Sequence, residues 1–570
     1  MSTEISGYQN EYSKSKNLSK RELLFVWIGY SLFLFVFFSV LRLLDCGYHF
    51  VDDCDILFAN AVHTVCGESV KSIVLAMVKL DMANRFTPVH IAIRYFYALA
   101  FGTISLLPFA VSKYIELALS MILLHLISRK LGYKVLPTIM FVGVSLVGYQ
   151  SAIWWRLGTH EIQSLFLFAL GFYMLLFWLN DKKYICLGVS LFAFLLMCGY
   201  KESFLILIPF VISYIIYYEF INLNKNRLDA NNCIEDSGVK DYLRLIIDVV
   251  KVRWKLLCVL SGFLLVPMFI LLFIIGTSNY GDFGIISINT ISSDIHNWKE
   301  ALSADLKWFK RFTRLFLLIL MSYWDHLKKC WMELLLAAVF IVPELLVFHS
   351  SGIFERYLLP VSLGYAYIFV LLPSKYDILS GIRKKIYWGL LVLLLMAHLR
   401  VAVIEADYFR WRGNSVQTAL DTIKTLSEDN NDIKILSCMY PNQEGDMTLY
   451  YWQRYYGYDN VYTYLSDEDI IVACNLDIHK HVDFYGRNSR RDFEEMDVIV
   501  MYNQNDRHWS EYKNLDVSEF DLYRCGSLDL YIRPDVNVSG IDFVEGSGET
   551  PIVGGAKAYD YDMQVPGVRF

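Results

Sequence analysis

The stretch ELLFVWIGYSLFLFVFFSVLRLL, residues 22–44, decides the fold class. It is apolar over the length that an α-helix needs to cross a bilayer, about 20 residues. Further runs of this kind follow along the chain, and together they predict about eleven membrane spans. The predicted spans are 22–44, 109–128, 135–154, 162–180, 184–199, 203–221, 256–276, 311–327, 331–349, 353–373 and 386–404.

The composition of the whole chain agrees with an α-helical polytopic membrane protein. Of the 570 residues, 55% are hydrophobic, 16% are aromatic and only 19% are charged. The mean hydropathy of +0.37 is too high for a soluble globular protein of this length. Intrinsic disorder is excluded by the apolar content, and nucleic acid is excluded as a partner because the net charge is −6 and no basic stripe offsets it.

The distribution of lysine and arginine predicts the orientation of the spans. When the loops are counted alternately from a cytoplasmic N-terminus, every basic cluster falls on the cytoplasmic side, as the positive-inside rule requires. These clusters lie in 14–21, 129–134, 182–183, 225–255, 328–329 and 383–385. We therefore expect a multi-pass protein of the plasma membrane. Its first helix is expected to remain uncleaved, because the apolar run is too long for a signal-peptide core.

Three regions follow from this topology. Residues 1–21 form a cytoplasmic tail, residues 22–404 form the transmembrane domain, and residues 405–570 lie outside the cytoplasm as a separate α/β domain. The sequence of this last region predicts helices at 414–427 and 445–457 and strands at 433–437, 497–501 and 528–532. This is the pattern of a small α/β layer.

The first external loop, residues 45–108, is unusually long. Apolar residues on one face of 56–65 and of 73–80 suit short helices that lie on the membrane surface. Residues 91–111 are apolar enough to compete as a span, but counting them would move every later basic cluster to the outside, so we reject this span.

The number and spacing of the cysteines and histidines predict neither a disulfide framework nor a metal site. Eleven cysteines are too dilute in a chain of this length for a disulfide framework. Cys46, Cys54 and Cys66 lie close together, and a pair of them can bridge in an external loop, although free cysteines fit better. His49 and the other external histidines lack the spacing of metal ligands.

Charged residues gather in five of the predicted external segments, close to the lipid boundary. The segments are 49–55, 84–90, 154–161, 200–203 and 355–360. Charges at membrane depth are expensive, so each of them needs a partner or a role. The chemistry that fits this set is group transfer from an anionic lipid.

In such a transfer, a carboxylate would act as the base and several cationic side chains would bind the phosphate. Asp52 or Asp53 would act as general base and remove the proton of an attacking acceptor hydroxyl. A leaving lipid phosphate needs Arg or Lys to hold its charge, and it departs without protonation. The candidates for this contact are Arg85, Arg156, Lys201 and Arg356, with Glu161 and Glu202 orienting them or the acceptor.

Four sequence patterns resemble those of the GT-C superfamily of integral-membrane glycosyltransferases, which includes protein O-mannosyltransferases, the aminoarabinose transferase of lipid A and bacterial relatives. The patterns are the acidic pair Asp52-Asp53, the segment Asn84-Arg85-Phe86-Thr87-Pro88, the helix start Tyr200-Lys201-Glu202-Ser203, and the element Glu355-Arg356-Tyr357-Leu358-Leu359-Pro360. The resemblance covers roughly residues 20–400.

The resemblance implies an enzyme of the hexosyltransferase type. Its reaction would move one sugar from a polyprenyl-phosphate-sugar to an extracytoplasmic acceptor, a cell-surface glycan, lipid or protein, with inversion at the anomeric carbon. The reaction would be metal-independent or assisted by a divalent metal ion. On this basis Asp52 or Asp53 is the base, and the donor phosphate is held by Arg85, Lys201 and Arg356. Substrate would be bound and oriented by Arg156, Glu161, Glu202 and Tyr357.

Two functions of other classes compete with this one. A transporter or lipid-carrier flippase would carry charged or Gly/Pro-broken residues at mid-span and two related halves. We favour the enzyme because the charges of this chain cluster at one face and no halves match. A non-catalytic scaffold that displays the C-terminal region would leave Asp52 and Asp53 without a role.

Overall fold

The structure of the chain is a computed structural model. It describes residues 19–49, 53–84, 86–102, 105–158, 160–229, 239–271, 326, 330–341, 359–376, 378–430, 432–438, 443–463, 495–502, 517–525, 528–539, 541, 552–553 and 556–557.

The described chain is mostly helical, with a small sheet near its C-terminal end. Short 3₁₀ helices join some elements, at Leu43–Asp45, Tyr149–Trp154 and Glu202–Ile206. The longer helices are α1 (Lys20–Val40), α2 (Cys54–Cys66), α3 (Val70–Asn84), α4 (Pro88–Phe101), α5 (Leu107–Lys130), α6 (Val135–Leu146), α7 (Glu161–Asp181), α8 (Tyr184–Tyr200), α9 (Leu207–Asp229), α10 (Val239–Phe269), α11 (Cys330–Ile341), α12 (Leu359–Lys375), α13 (Gly381–Asp429) and α14 (Gln443–Tyr455).

Five of the described helices are long and apolar enough to cross a membrane: α1, α5, α7, α9 with its 3₁₀ lead-in, and α13. Large apolar side chains on their outer faces are exposed, for example Phe25 on α1 and Leu393 on α13. A soluble protein rarely exposes such surfaces, whereas lipid covers them without penalty. The expectation of a multi-pass membrane protein is supported. Every predicted span coincides at least in part with a described helix, except 311–327, of which the structure describes only residue 326.

Some spans differ in detail from the prediction. The run 135–154 is helical only to Leu146. The chain then turns at Gly148, whose φ of +139° is a conformation that favours glycine, and continues as a 3₁₀ helix. The predicted span 256–276 belongs to α10, which already begins at Val239. Apolar periodicity marks these segments, but it does not locate such turns or extensions.

Three of the basic clusters that were predicted to share one side, 129–134, 182–183 and 225–255, have described residues at one end of the helix bundle. Arg129 at the end of α5 bonds to Glu22 at the start of α1. The ammonium of Lys130 lies 3.6 Å from the ring centroid of Phe177 near the end of α7. Arg253 of α10 bonds to Glu219 of α9. Which compartment this end faces stays a prediction.

The packing of neighbouring helices depends on small residues at points of close approach. Gly171 of α7 lies against the ring of Phe194 on α8, and a Cβ there would approach this ring to 2.7 Å. Such close approach is typical of helix pairs in membranes. α1 and α5 run antiparallel, because Glu22 at the start of α1 bonds to Arg129 at the end of α5, whereas Ser31 further along α1 accepts from Tyr114 Oη near the start of α5 at 2.9 Å.

The C-terminal sheet mixes parallel and antiparallel strands. The strands are β1 (Ile435–Cys438), β2 (Val461–Thr463), β3 (Val498–Tyr502), β4 (Asp521–Cys525) and β5 (Leu528–Ile532), and a separate hairpin is formed by β6 (Ile552–Val553) and β7 (Ala556–Lys557). The order in the sheet is β2-β1-β3-β5-β4, and the central strand β3 pairs parallel with β1 and antiparallel with β5. A mixed sheet with helices therefore confirms the coarse α/β prediction for this region.

Residue 405, the predicted start of the C-terminal domain, lies within a continuous helix. Helix α13 runs without interruption from Gly381 to Asp429, so the predicted last span and the predicted helix 414–427 are one helix of 49 residues. Beyond the bundle, α13 packs on the sheet and on α14.

Helices of the long first loop share one hydrophobic core with the C-terminal sheet. Ile56, Leu57 and Phe58 of α2 are at most 2% exposed and belong to the same cluster as Leu420 of α13 and Val498 of β3. The expected surface position of 56–65 is therefore wrong for most of α2, because protein covers its apolar residues except Val65, which is exposed. The rejected span 91–111 is broken in the structure, since α4 ends after 14 residues at Phe101.

Candidate functional site

A buried ion pair lies at the end of the bundle opposite the basic clusters. Glu161 is the first residue of α7, and Lys201 follows directly after α8. Lys201 Nζ and Glu161 Oε1 are 3.6 Å apart, and the two side chains are only 5% and 2% exposed. The position at a helix N-terminus favours the Glu161 carboxylate. Two predicted site residues are thus in contact although 40 residues separate them in sequence.

Glu202 connects this pair to the segment that carries Arg85. Its Oε1 accepts the backbone N–H of Phe86 at 3.4 Å, and the side chain is buried. One residue further on, the amide and hydroxyl of Thr87 donate to the two oxygens of Asp81 at 2.7 and 2.8 Å. Two buried carboxylates therefore hold the chain just after position 85. Arg85 itself lies outside the described residues.

Asp53 occupies a second neighbourhood of the same end. It precedes α2, is 1% exposed, and its Oδ2 accepts the backbone N–H of His49 at 3.0 Å. The structure thus favours a buried carboxylate over the solvated loop acid that an external loop also permits. Asp52, the other predicted base, lies outside the described residues.

The long helix α13 supports the loop that leads to Asp53. Gly47 and Gly413 face each other so closely that a Cβ on Gly47 would lie 2.2 Å from the carbonyl oxygen of Gly413. Asn414 Oδ1 accepts the N–H of Gly47 at 3.3 Å. Phe409 of the same helix lies flat on the ring of His49. This contact between two distant parts of the sequence has no signal in the local pattern of either part.

The segment 155–160 runs between the two neighbourhoods. The ring of Trp155 lies 6.5 Å from that of Phe409, and Arg156 follows it, half-buried. Further along, Arg94 of α4 donates to the carbonyl of Gly158 at 3.2 Å, and His160 packs on His90 with ring centroids 4.1 Å apart. Arg156 therefore directly follows a residue of the Asp53 neighbourhood, Trp155, and precedes Glu161 of the ion pair by five residues in sequence.

A further carboxylate at this end was missed by the sequence analysis. Glu116 lies within α5, where Gln163 Nε2 donates to its Oε2 at 2.6 Å and Ser112 Oγ donates to its Oε1 at 3.3 Å. Gln163 is two residues beyond Glu161, and the buried Lys113 precedes Glu116 by one helical turn. An ionisable residue within a predicted span was the signal, since such residues are functional candidates by default.

The remaining predicted site residues, Arg356 and Tyr357, lie outside the described residues. No group of three or more His, Cys, Asp or Glu side chains with the geometry of a metal site occurs among the residues that the structure describes. No mechanistic step is therefore derived through a metal. Cys46 Sγ lies 3.6 Å from Nε2 of His49.

Comparison of the chain with protein-family models finds no match, and comparison with curated proteins finds none either. The resemblance to the GT-C superfamily therefore rests on the residue patterns alone.

Proposed function

We propose that this protein is a membrane glycosyltransferase that moves a sugar from a polyprenyl-phosphate-sugar donor to an acceptor outside the cytoplasm. The observation that carries the proposal is the buried Lys201–Glu161 pair at one end of the bundle, with Glu202 beside it. Buried charges of this kind are expensive to keep and are retained in membrane proteins chiefly for function.

In the proposed reaction, an acceptor hydroxyl oxygen attacks the anomeric carbon of the donor sugar. The bond from this carbon to the phosphate oxygen breaks, and polyprenyl phosphate leaves with the electron pair. Asp52 or Asp53 takes the proton of the hydroxyl, and attack from the opposite face inverts the anomeric carbon. A positioned general base contributes about 10²- to 10⁴-fold to the rate of such a step.

The cations of the site would hold the phosphate of the donor. Lys201 is fixed by Glu161, so its ammonium is oriented before the lipid arrives, which lowers the entropy lost on binding. Arg85 and Arg356 would join it at the phosphate, where a guanidinium offers two parallel hydrogen bonds. Arg156, Glu202 and Tyr357 would orient the sugar or the acceptor.

The proposal places the N-terminus in the cytoplasm and the C-terminal sheet outside it. This orientation is inferred from the basic residues Arg129, Lys130 and Lys182 at the opposite end of the bundle, where they contact α1, α7 and α9 respectively.

The test is sugar transfer by the purified protein in detergent from a panel of radiolabelled undecaprenyl-phosphate sugars to a mixed acceptor extract. We expect turnover of one donor, and a loss of at least 100-fold in Asp52→Asn or in Asp53→Asn. The matched control is Asp45→Asn, because Asp45 is an exposed acid of the same loop that pairs only with exposed Arg42 among the described residues.

Full activity in the Asp52→Asn/Asp53→Asn double variant would contradict the assignment of the base. Absence of turnover of every donor by well-folded protein would contradict the transferase itself, and movement of a polyprenyl-phosphate-sugar across liposomes by that protein would indicate a flippase.

A further inference from the structure

A row of polar side chains on α13 begins beside the loop that leads to Asp53. Its members recur every three or four residues, so they share one face of the helix, and all of them are exposed or half-buried. They are Asn414, Gln417, Asp421 and Lys424. Gln417 adjoins the loop, since a Cβ on Gly47 would lie 2.5 Å from Gln417 Cβ. The row spans about 15 Å along the helix.

The far end of this row meets two tyrosines at the end of α14. Lys424 Nζ lies 4.6 Å from the ring centroid of Tyr456, and the ring centroids of Tyr455 and Tyr456 are 5.1 Å apart. Earlier residues of α14, such as Tyr451 and Trp452, are buried in the core, whereas Tyr455 and Tyr456 are only half-buried. The polar row and these two tyrosines together form a surface that we call the α13–α14 strip.

The tyrosines of the strip also lie close to the proposed base. Tyr48 belongs to the loop before Asp53, and its ring centroid lies 5.7 Å from that of Trp452. Burial raises the pKa of the Tyr48 hydroxyl well above its usual range. Three nearby acidic groups add to this rise, namely Asp53, Tyr456 and Tyr455. The strip and the proposed base therefore border one region.

The side chains of the strip suit a ligand that carries hydroxyl groups and apolar faces. Amide, carboxylate and ammonium groups donate hydrogen bonds to hydroxyls or accept them. Tyrosine offers an apolar ring face together with a polar tip. Sugar rings carry hydroxyls around an apolar face, so a carbohydrate chain can use both kinds of side chain at once.

Two other classes of ligand fit the strip less well. An anion would need an excess of positive charge, but Lys424 pairs with Glu428 at 2.8 Å and shares its helix face with Asp421. A peptide would need a free strand edge or a row of apolar anchors, whereas the row on α13 is polar throughout. The observations therefore favour a neutral carbohydrate.

We propose that the α13–α14 strip binds the acceptor of the transfer and that this acceptor is a carbohydrate chain. A chain that lies along α13 would bring one hydroxyl to Asp52 or Asp53 while its other rings contact Tyr455 and Tyr456. The inference rests on the proposed function for the role of the glycan as acceptor, whereas glycan binding itself requires no donor. It also gives the C-terminal sheet a role, since the sheet packs against both helices.

The first measurement is binding of the full-length protein in detergent to an array of linear bacterial and plant oligosaccharides, without donor. We expect at least one glycan to bind, with a Kd that rises at least ten-fold in Tyr455→Ala and in Asp421→Ala. Tyr462→Ala is the first control, because this half-buried tyrosine of β2 packs on the sheet face away from α13. Asp521→Ala, at an exposed position of β4, is the second. Both controls should bind as wild type does.

The second measurement is transfer from the panel of undecaprenyl-phosphate sugars to the glycan that binds. The KM for this glycan should rise at least ten-fold in Tyr455→Ala, and Tyr462→Ala should keep the wild-type value. Binding and transfer are measured on the same preparation, so a lost site and a lost reaction are told apart.

Absence of binding to every glycan, or an equal Kd in Tyr455→Ala and Tyr462→Ala, would overturn the inference. Transfer to a peptide serine or to a membrane lipid, with full activity in Tyr455→Ala and Asp421→Ala, would also overturn it and would leave the proposed function standing. Glycan binding that depends on Tyr455 and Asp421, in protein that turns over no donor, would support the binding site and contradict the transferase.

Discussion

The imidazole of His49 lies flat on the ring of Phe409, with centroids 3.5 Å apart and planes 6° apart. Because the backbone N–H of His49 also donates to Oδ2 of Asp53, this stacking connects α13 to the proposed base. The nearby Gly47–Gly413 contact brings the two backbones together. Part of α13 thus supports the loop that connects α1 to α2.

We expect Gly413→Ala to weaken this support. A Cβ at Gly413 would lie 2.6 Å from Cys46 Sγ and from His49 Nε2, and 2.9 Å from the carbonyl oxygen of Gly47. Overpacking of this kind destabilises by about 1–3 kcal/mol, measured as an earlier loss of folded protein on heating in detergent. Gly389→Ala is the control on the same helix. With nothing within 4 Å of its Cβ, it should stabilise by about 0.5–1 kcal/mol. Equal melting of the two variants would contradict the contact.

A double-mutant cycle tests the Lys201–Glu161 pair. Lys201→Met alone leaves the Glu161 carboxylate buried without this partner, which typically destabilises by about 3–5 kcal/mol. Lys201→Met/Glu161→Gln removes both charges and should lose less than the sum of the single variants. The exposed pair Arg42–Asp45 serves as the control and should show a coupling energy of about 0–1 kcal/mol. Additive losses at Lys201 and Glu161 would mean that the pair does not form.

The sheet should show a pH-dependent stability through Asp529. Burial raises the pKa of this carboxyl from 3.8 to about 6, although Arg524 at 3.7 Å opposes the rise. The folded form therefore binds the proton more tightly than the unfolded form, so stability falls as pH increases from about 4 through 6.

Asp529→Asn should remove this dependence. At pH 7.5 the variant should exceed the wild type in stability by at most about 3 kcal/mol, and at pH 4 it should not. The control is Asp521→Asn at an exposed position of β4, which should leave the pH dependence as it is. The measurement is the melting temperature of each variant between pH 4 and 8. An equal pH dependence in Asp529→Asn and wild type would show that Asp529 is not its cause.

Labelling of introduced cysteines tests the proposed orientation. Lys183 and Asp432 are both exposed, one at the basic end of the bundle and the other beside the sheet. In a background with the exposed Cys258 replaced by serine, Asp432→Cys should react with an impermeant maleimide in intact cells. Lys183→Cys should react only after the membrane is opened. Reaction of both from one side would refute the topology.

Much of the fold could be predicted because membrane helices leave a strong local signal. A run such as 22–44 needs only length and apolar content to be recognised, and the strand 528–532 was placed at its observed bounds. The sequence did not show that the side chains of Lys201 and Glu161 are in contact. Both residues were candidates because they end or begin helices near the lipid boundary.

The rest depended on tertiary contacts. The apolar face of 56–65 fits a lipid surface as well as a protein core, and only the packing of α2 against α14 and the sheet decides between them. The composition changes near residue 405, but α13 is helical without interruption through that point. The composition of α13 therefore changes along its length while its backbone stays helical.

The number of residues in α13 fixes how the part of the helix that packs on the sheet is rotated relative to the part in the bundle. Its 49 residues extend about 74 Å, more than twice the thickness of a hydrocarbon core. One residue inserted after Arg400 would rotate everything beyond it by about 100°, turning Phe409 and Gly413 away from His49 and Gly47. Seven inserted residues, close to two full turns, would restore the direction but lift the sheet by about 10 Å. The number of residues in this helix is therefore as constrained as their identity.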